Sequence, residues 1–160
     1  MQEIMPISQT GDEKLKAELD ELKKEAAELR QRVAEAREHG DLKENGEYIY
    51  GRQNLSFVEG RLREIMGKIN YSEVTDCTAA PLDTAGFGTV VKVRDLDSGR
   101  EIVYQLLGPY DYDLTENSIS ILSPIGNALY GLSVGEKVSV SVPRGESNFE
   151  ILEITASEFK

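Results

Sequence analysis

The sequence predicts an α+β protein in which an antiparallel pair of long helices precedes a small, mostly antiparallel sheet with one short helix. Three observations carry that expectation. Aliphatic residues recur at alternating steps of four and three on both sides of a break at residues 39–45. Glycine is sparse and charge dense before residues 78–82, and the balance reverses after them. Beyond that point valine, isoleucine and tyrosine gather in short runs between turn signals.

The first helix has a readable start. Thr10-Gly-Asp-Glu13 has the form of a capping box, in which the threonine hydroxyl and glutamate carboxylate satisfy orphan amides. The helix is therefore expected to begin near Gly11 or Asp12. Leu15, Leu19, Leu22, Ala26, Leu29, Val33 and Ala36 then form one seam facing a partner helix. The pattern stops at His39-Gly40, where glycine can take the left-handed conformation that ends helices.

A second seam follows: Tyr48, Gly51, Leu55, Val58, Leu62, Ile65 and Ile69, ending near Asn70. So short a connection makes neighbouring helices run antiparallel. The expected result is a coiled-coil hairpin about 40 Å long at about 1.5 Å per residue, with residues 39–45 at its far end.

The second half reads as strands at residues 86–93, 101–107, 117–122, 137–142 and 148–154, separated by turn signals such as Asp97-Ser98-Gly99 and Pro143-Arg144-Gly145. Ser123-Pro124 looks like a serine cap with proline at the first position of a short helix. Gly86-Phe87-Gly88 is too short for a nucleotide loop and suggests a bulge or a close backbone approach at a strand start. The expected division is residues 1–78 for the hairpin and 79–160 for the sheet domain.

Charge narrows the function. With 29 acidic against 18 basic residues the net charge is -11, which argues against broad nucleic-acid binding through a basic surface, so any such contact should be local. The acidic surface also favours a monomer. Cys77 is the single cysteine, reads as an inert thiol, and fits a reducing cytoplasm. The first residues do not form a signal peptide, and no apolar run of about 18 residues occurs, so neither secretion nor a membrane partner is expected.

The hairpin tip carries the candidate chemistry. Asp41 and Glu44 are three apart, so in a turn opening into a helix both carboxylates can point the same way. Magnesium suits one or two protein carboxylates, with water and phosphate completing an octahedral shell. The same two acids also fit a plain helix start, where the macrodipole favours negative charge. Spacing does not separate these readings. Arg37 and Arg52 could be solvated charges or could steer phosphate, and His39 reads as a loop residue rather than a general base.

Residues 36–48, Ala-Arg-Glu-His-Gly-Asp-Leu-Lys-Glu-Asn-Gly-Glu-Tyr, resemble the tip signature of the Gre family of bacterial transcription elongation factors, nearer to its GreA branch. Residues 120–136, Ser-Ile-Leu-Ser-Pro-Ile-Gly-Asn-Ala-Leu-Tyr-Gly-Leu-Ser-Val-Gly-Glu, are similar to the family's carboxy-terminal signature. The resemblance implies an FKBP-like sheet domain that docks at the rim of the RNA polymerase secondary channel, and a hairpin that passes down it. It implies further that Asp41 and Glu44 share a magnesium ion with the polymerase active site, stimulating cleavage of backtracked nascent RNA, and that Arg37 and Arg52 contact the RNA 3' segment. The protein would hold no cofactor of its own and would be an accessory factor rather than an enzyme. Two departures stand out: Gly46, where the family usually has alanine, and Ile49-Tyr50-Gly51, where a histidine and small residues are usual.

Two rival functions are weighed against this. Gre-like relatives with a different acidic tip inhibit polymerase by occluding its active site, whereas this chain has Asp-Leu-Lys-Glu-Asn at residues 41–45. The implied carboxy-terminal fold is shared with prolyl isomerases, whose sites are apolar and aromatic. This chain has no tryptophan, and Tyr104, Tyr110, Tyr112 and Tyr130 read as sheet or core residues.

Overall fold

The computed structural model of the protein describes residues 3–38 and 46–160. It contains two compact units, one formed by Glu13–Tyr71 and the other joining the residues up to Asp12 to Ser72–Lys160. The composition change at residues 78–82 thus lies within the second of these. The reason is a pairing the sequence did not announce: β1 (Met5–Ile7) runs parallel to β2 (Ser72–Val74), with Met5 opposite Ser72 and Ile7 opposite Val74. Three residues are too few to display the two-residue period of a strand.

α1 spans Gln9–Glu38 and begins earlier than the capping box predicts. Ser8 is the cap: the Gly11 N–H donates to its hydroxyl at 3.0 Å, and the Asp12 N–H to its carbonyl at 2.9 Å. Thr10 falls inside the first turn instead. Its N–H donates to the Lys160 carbonyl at 3.1 Å and its hydroxyl donates to the same oxygen, a partner 150 residues away that local pattern could not reveal.

α2 spans Gly46–Asn70. All the predicted seam positions of both helices are buried or half-buried, with Leu15, Ala26, Ala36, Val58 and Ile65 the most enclosed. On α1 beyond Leu15, Glu18 is the one other side chain drawn in, and it accepts from the Arg61 guanidinium at 2.7 Å. Arg30 reaches Glu59 at 3.2 Å, and Val33 faces Gly51. Later positions on α1 thus meet earlier ones on α2, which is the antiparallel hairpin the seams predict.

The sheet contains β3 (Thr89–Asp95), β4 (Glu101–Leu107), β5 (Ser118–Ser120), β6 (Lys137–Val142) and β7 (Gly145–Ala156), in the order β5-β4-β3-β7-β6. Its pairs are antiparallel except β4 with β5. Thr89, Val91 and Val93 alternate inward along β3, and Val91 and Val93 join Leu106, Leu129, Val140, Phe149 and Ile151 in a closed core. That alternation satisfies the pleat, which turns successive side chains to opposite faces. α3 (Pro124–Leu129) starts as predicted: Ser123 accepts from the Gly126 N–H at 3.1 Å, and Pro124 occupies the first turn.

Gly88 confirms the close approach expected at the strand start. It has φ of +87°, and an added Cβ would lie 2.8 Å from the Cα of Cys77. The tyrosines divide: Tyr104 packs partly buried against the core, and Tyr110 is half-buried. Tyr112 and Tyr130 are 44% and 55% exposed, so they are surface residues and not core. Both lie in or beside turns, where inward alternation does not apply. Among the described residues no helix is long and apolar enough to cross a membrane.

Candidate functional site

Asp41, Glu44, His39 and the turn at 39–45 lie outside the described residues. Arg37 and Arg52 are described, and the structure brings them together. Arg37 is in the last turn of α1 and Arg52 near the start of α2, and both line a groove of about 850 Å³ with Arg30, Val33, Tyr48, Leu55 and Glu59.

Helical spacing explains why these side chains converge. Arg30, Val33 and Arg37 occur at steps of three and four on α1, and Tyr48, Arg52, Leu55 and Glu59 continue at the same steps on α2. The Arg52 guanidinium lies over the Tyr48 ring, 5.7 Å from its centroid. Arg30 is engaged by Glu59. Arg37 and Arg52 form no ion pair among the described residues.

Such a groove combines the cations of Arg37 and Arg52 with an aromatic face and the apolar side chains of Val33 and Leu55, while Glu38 also lines it and Arg30 is paired with Glu59. Guanidinium groups pair with phosphate through several donors, while rings and apolar walls accommodate bases, so a single-stranded nucleic acid suits the combination. The distribution of charge agrees. Residues 13–71 hold 13 acidic and 12 basic residues, a net of -1, leaving -10 of the total -11 on the rest of the chain. A phosphate backbone is therefore opposed far less by the hairpin than by the sheet unit.

Sequence reading missed Arg30 and Glu59 as groove residues. Their signal was present: Arg30 precedes Arg37 by seven residues, two turns along the same helix face.

Elsewhere two titratable groups are shifted by structural causes. The Asp76 carboxyl is held below the usual carboxylate range by the Thr78 hydroxyl, which donates at 2.6 Å, and by the Thr78 N–H at 2.9 Å. Burial, with smaller contributions from the charges of Asp111 and Asp76, pushes the Cys77 thiol up to about 11. A thiol so placed is protonated at neutral pH and is not a nucleophile. A cleft of about 480 Å³ opens beside Pro81, Phe87 and Tyr130. Among the described residues no three His, Cys, Asp or Glu side chains group as a metal site.

Comparison with known proteins gives one consistent picture. Residues 5–74 match the family model described as the N-terminal part of transcription elongation factors, and residues 80–156 match the GreA/GreB C-terminal model. The chain is 40% identical over 153 residues to transcription elongation factor GreA of Syntrophus aciditrophicus, covering 95% of each chain. It is 44% identical over 157 residues to the GreA of Alkalilimnicola ehrlichii, covering 96% of this chain and 98% of that one. With the GreA of Desulfotalea psychrophila the identity is 39% over 156 residues, covering 97% of each.

Proposed function

The chain belongs to the GreA/GreB family of transcription elongation factors, and on that premise we propose that it enters the secondary channel of bacterial RNA polymerase and stimulates magnesium-dependent cleavage of backtracked RNA. The observation that supports this reading is the pairing of Arg37 and Arg52 in one groove, on the helix ends that flank the acidic turn in sequence. Phosphates held there would bring an RNA 3' segment to the part of the chain that carries Asp41 and Glu44.

Each residue then has a role that its chemistry supports. Arg37 and Arg52 bind and orient phosphates, Tyr48 holds the Arg52 guanidinium over its ring, and Val33 and Leu55 supply an apolar wall. Asp41 and Glu44 supply two carboxylate donors, a set that fits magnesium but leaves most of an octahedral shell to phosphate, water and the polymerase. When bound, such an ion activates water and stabilises charge developing on phosphorus. The factor contributes donors and orientation, and the polymerase contributes the remaining catalytic groups. The sheet unit docks at the channel rim, and the protein acts in the cytoplasm, where polymerase works.

The test is direct. Mixed with a backtracked elongation complex and magnesium, the protein should shorten the RNA from its 3' end. Asp41→Ala or Glu44→Ala should lower that cleavage by on the order of a hundredfold while polymerase binding is retained, the scale of losing one key electrostatic group. RNA left intact by the wild-type protein, with the polymerase inhibited, would replace this reading with occlusion of the active site.

A further inference from the structure

The face of α2 turned away from its seam is unlike the outside of an ordinary paired helix, which is charged and polar. No acidic residue occurs between Glu47 and Glu59, in a chain that holds 29 acids. Apolar side chains stand out in the same stretch: Ile49 is 43% exposed, Tyr50 67% and Phe57 72%. Tyr50 precedes Gln53 by three residues and Phe57 follows it by four, which puts the three on one helix face.

A pocket of about 270 Å³ opens on this side of α2, lined by Tyr48, Ile49, Arg52, Gln53 and Ser56. Tyr48, Arg52 and Ser56 line the larger groove as well, so the Arg52 side chain, held over the Tyr48 ring, stands between the two. The pocket is smaller than the roughly 300–1,000 Å³ that drug-sized ligands occupy, a size suited to one planar ring system. Ile49 gives it an apolar wall, and Gln53 brings an amide with two donors and an acceptor.

We propose that this pocket is a nucleobase subsite, which receives the base of a single-stranded RNA nucleotide whose phosphate Arg52 holds. The proposal rests on the reading that Arg37 and Arg52 receive RNA phosphates. Only a ribose separates a base from its phosphate, so a strand lying in the groove can set a base on the other side of the Arg52 side chain. There Ile49 packs on the face of the base and the Gln53 amide hydrogen-bonds its edge. Charge favours this occupant, because residues 48–58 carry Arg52 and no acid, and so nothing in that stretch repels a phosphate chain. Ile49 and Tyr50 are also among the residues where the chain departs from the Gre tip pattern, which makes the subsite a property of this chain's own sequence.

The test titrates the full-length protein with an adenosine tetranucleotide and with the same ribose-phosphate tetramer lacking its bases, followed by nuclear magnetic resonance. The complete tetranucleotide should bind at least about fivefold tighter, the scale of one stacked base. It should shift the Ile49 methyl and Gln53 side-chain amide signals, which the abasic tetramer leaves in place. The double variant Ile49→Ala, Gln53→Ala should bind both tetramers alike. Equal affinities in the wild-type protein would overturn the proposal without recourse to any variant, and a preference that survives the double substitution would place the base elsewhere. A free protein that sediments as a dimer, dissolved by Phe57→Ser, would make this face a contact between copies and overturn the proposal as well. The functional reading fails separately: protein that leaves backtracked RNA intact but still prefers the complete tetranucleotide keeps the subsite, whereas cleavage without that preference removes the subsite alone.

Discussion

The guanidinium carbon of Arg52 lies 5.7 Å from the centroid of the Tyr48 ring, one turn away on α2. A cation held over an aromatic face at an accessible site gains about 0.5–1 kcal/mol and loses rotamer freedom, so the ring fixes where the charge sits. Tyr48→Leu should therefore lower cleavage by about two- to fivefold, the equivalent of that energy, while helix content is preserved. Tyr48→Phe keeps the ring and should retain more cleavage than Tyr48→Leu. Equal loss in both variants would mean that the phenol hydroxyl, not the ring, is what matters.

The division into units predicts which fragment folds. A fragment beginning at Ala79 lacks β1 and β2, uncovers the surface sealed by Ile7, and leaves Asp111 without the Ser8 N–H. Losing one buried aliphatic side chain costs about 2–5 kcal/mol, a large share of a small domain's stability. It should melt well below a fragment in which residues 3–12 are joined to 72–160 by a short glycine linker. The joined fragment should compete with the full protein for polymerase without promoting cleavage. Equal melting temperatures would show that the β1–β2 pair adds nothing.

Cys77 makes stability sensitive to alkali. Its thiol is fully buried, with its pKa raised from 9.0 to about 11. Between those values the native state retains a proton that the unfolded state releases, so the contribution is complete below pH 9 and is lost as pH rises towards 11. The effect should reach no more than about 3 kcal/mol. Urea melts across this window should show a falling midpoint, and Cys77→Ala should flatten that fall. Rapid alkylation of the native thiol at pH 8 would contradict the burial.

Two glycines should respond in opposite ways to alanine. At Gly67, inside α2, an added Cβ meets nothing within 4 Å, so helix propensity alone should raise stability by about 1 kcal/mol. At Gly88 the left-handed backbone and the neighbouring Cys77 main chain both oppose a side chain, and the loss should exceed about 1 kcal/mol. Chemical denaturation of the two variants decides both signs.

The hairpin seams were legible because their information is local. Leu15 through Ala36 and Tyr48 through Ile69 repeat at helical spacing, and each repeat places its neighbour on the same face. The serine-proline start of α3 was legible for the same reason, since a cap is decided within three or four residues. The groove was half legible: Arg37 and Arg52 stood out through family resemblance and Arg30 shares a helix face with Arg37, but the pairing of Arg30 with Glu59 needed two helices laid side by side.

Thr10 shows where local reasoning gives way. Its sequence context is a good capping box, yet Ser8 caps the helix, because β2 pairs with β1 and Asp111 holds the Ser8 N–H. Tyr112 and Tyr130 failed similarly, since β-like composition says nothing about which side of a turn faces water.

The amino-acid sequence alone determined the helix pair, the strand-rich half and the family signatures, all written at short range in spacing and residue type. Tertiary structure decided the true start of α1, the union of the first residues with Ser72–Lys160, the groove around Arg52 and the burial of Asp111. Those features join residues from about twenty to more than a hundred positions apart, and which distant groups meet is settled by satisfying buried polar atoms and closing apolar surface across the whole fold.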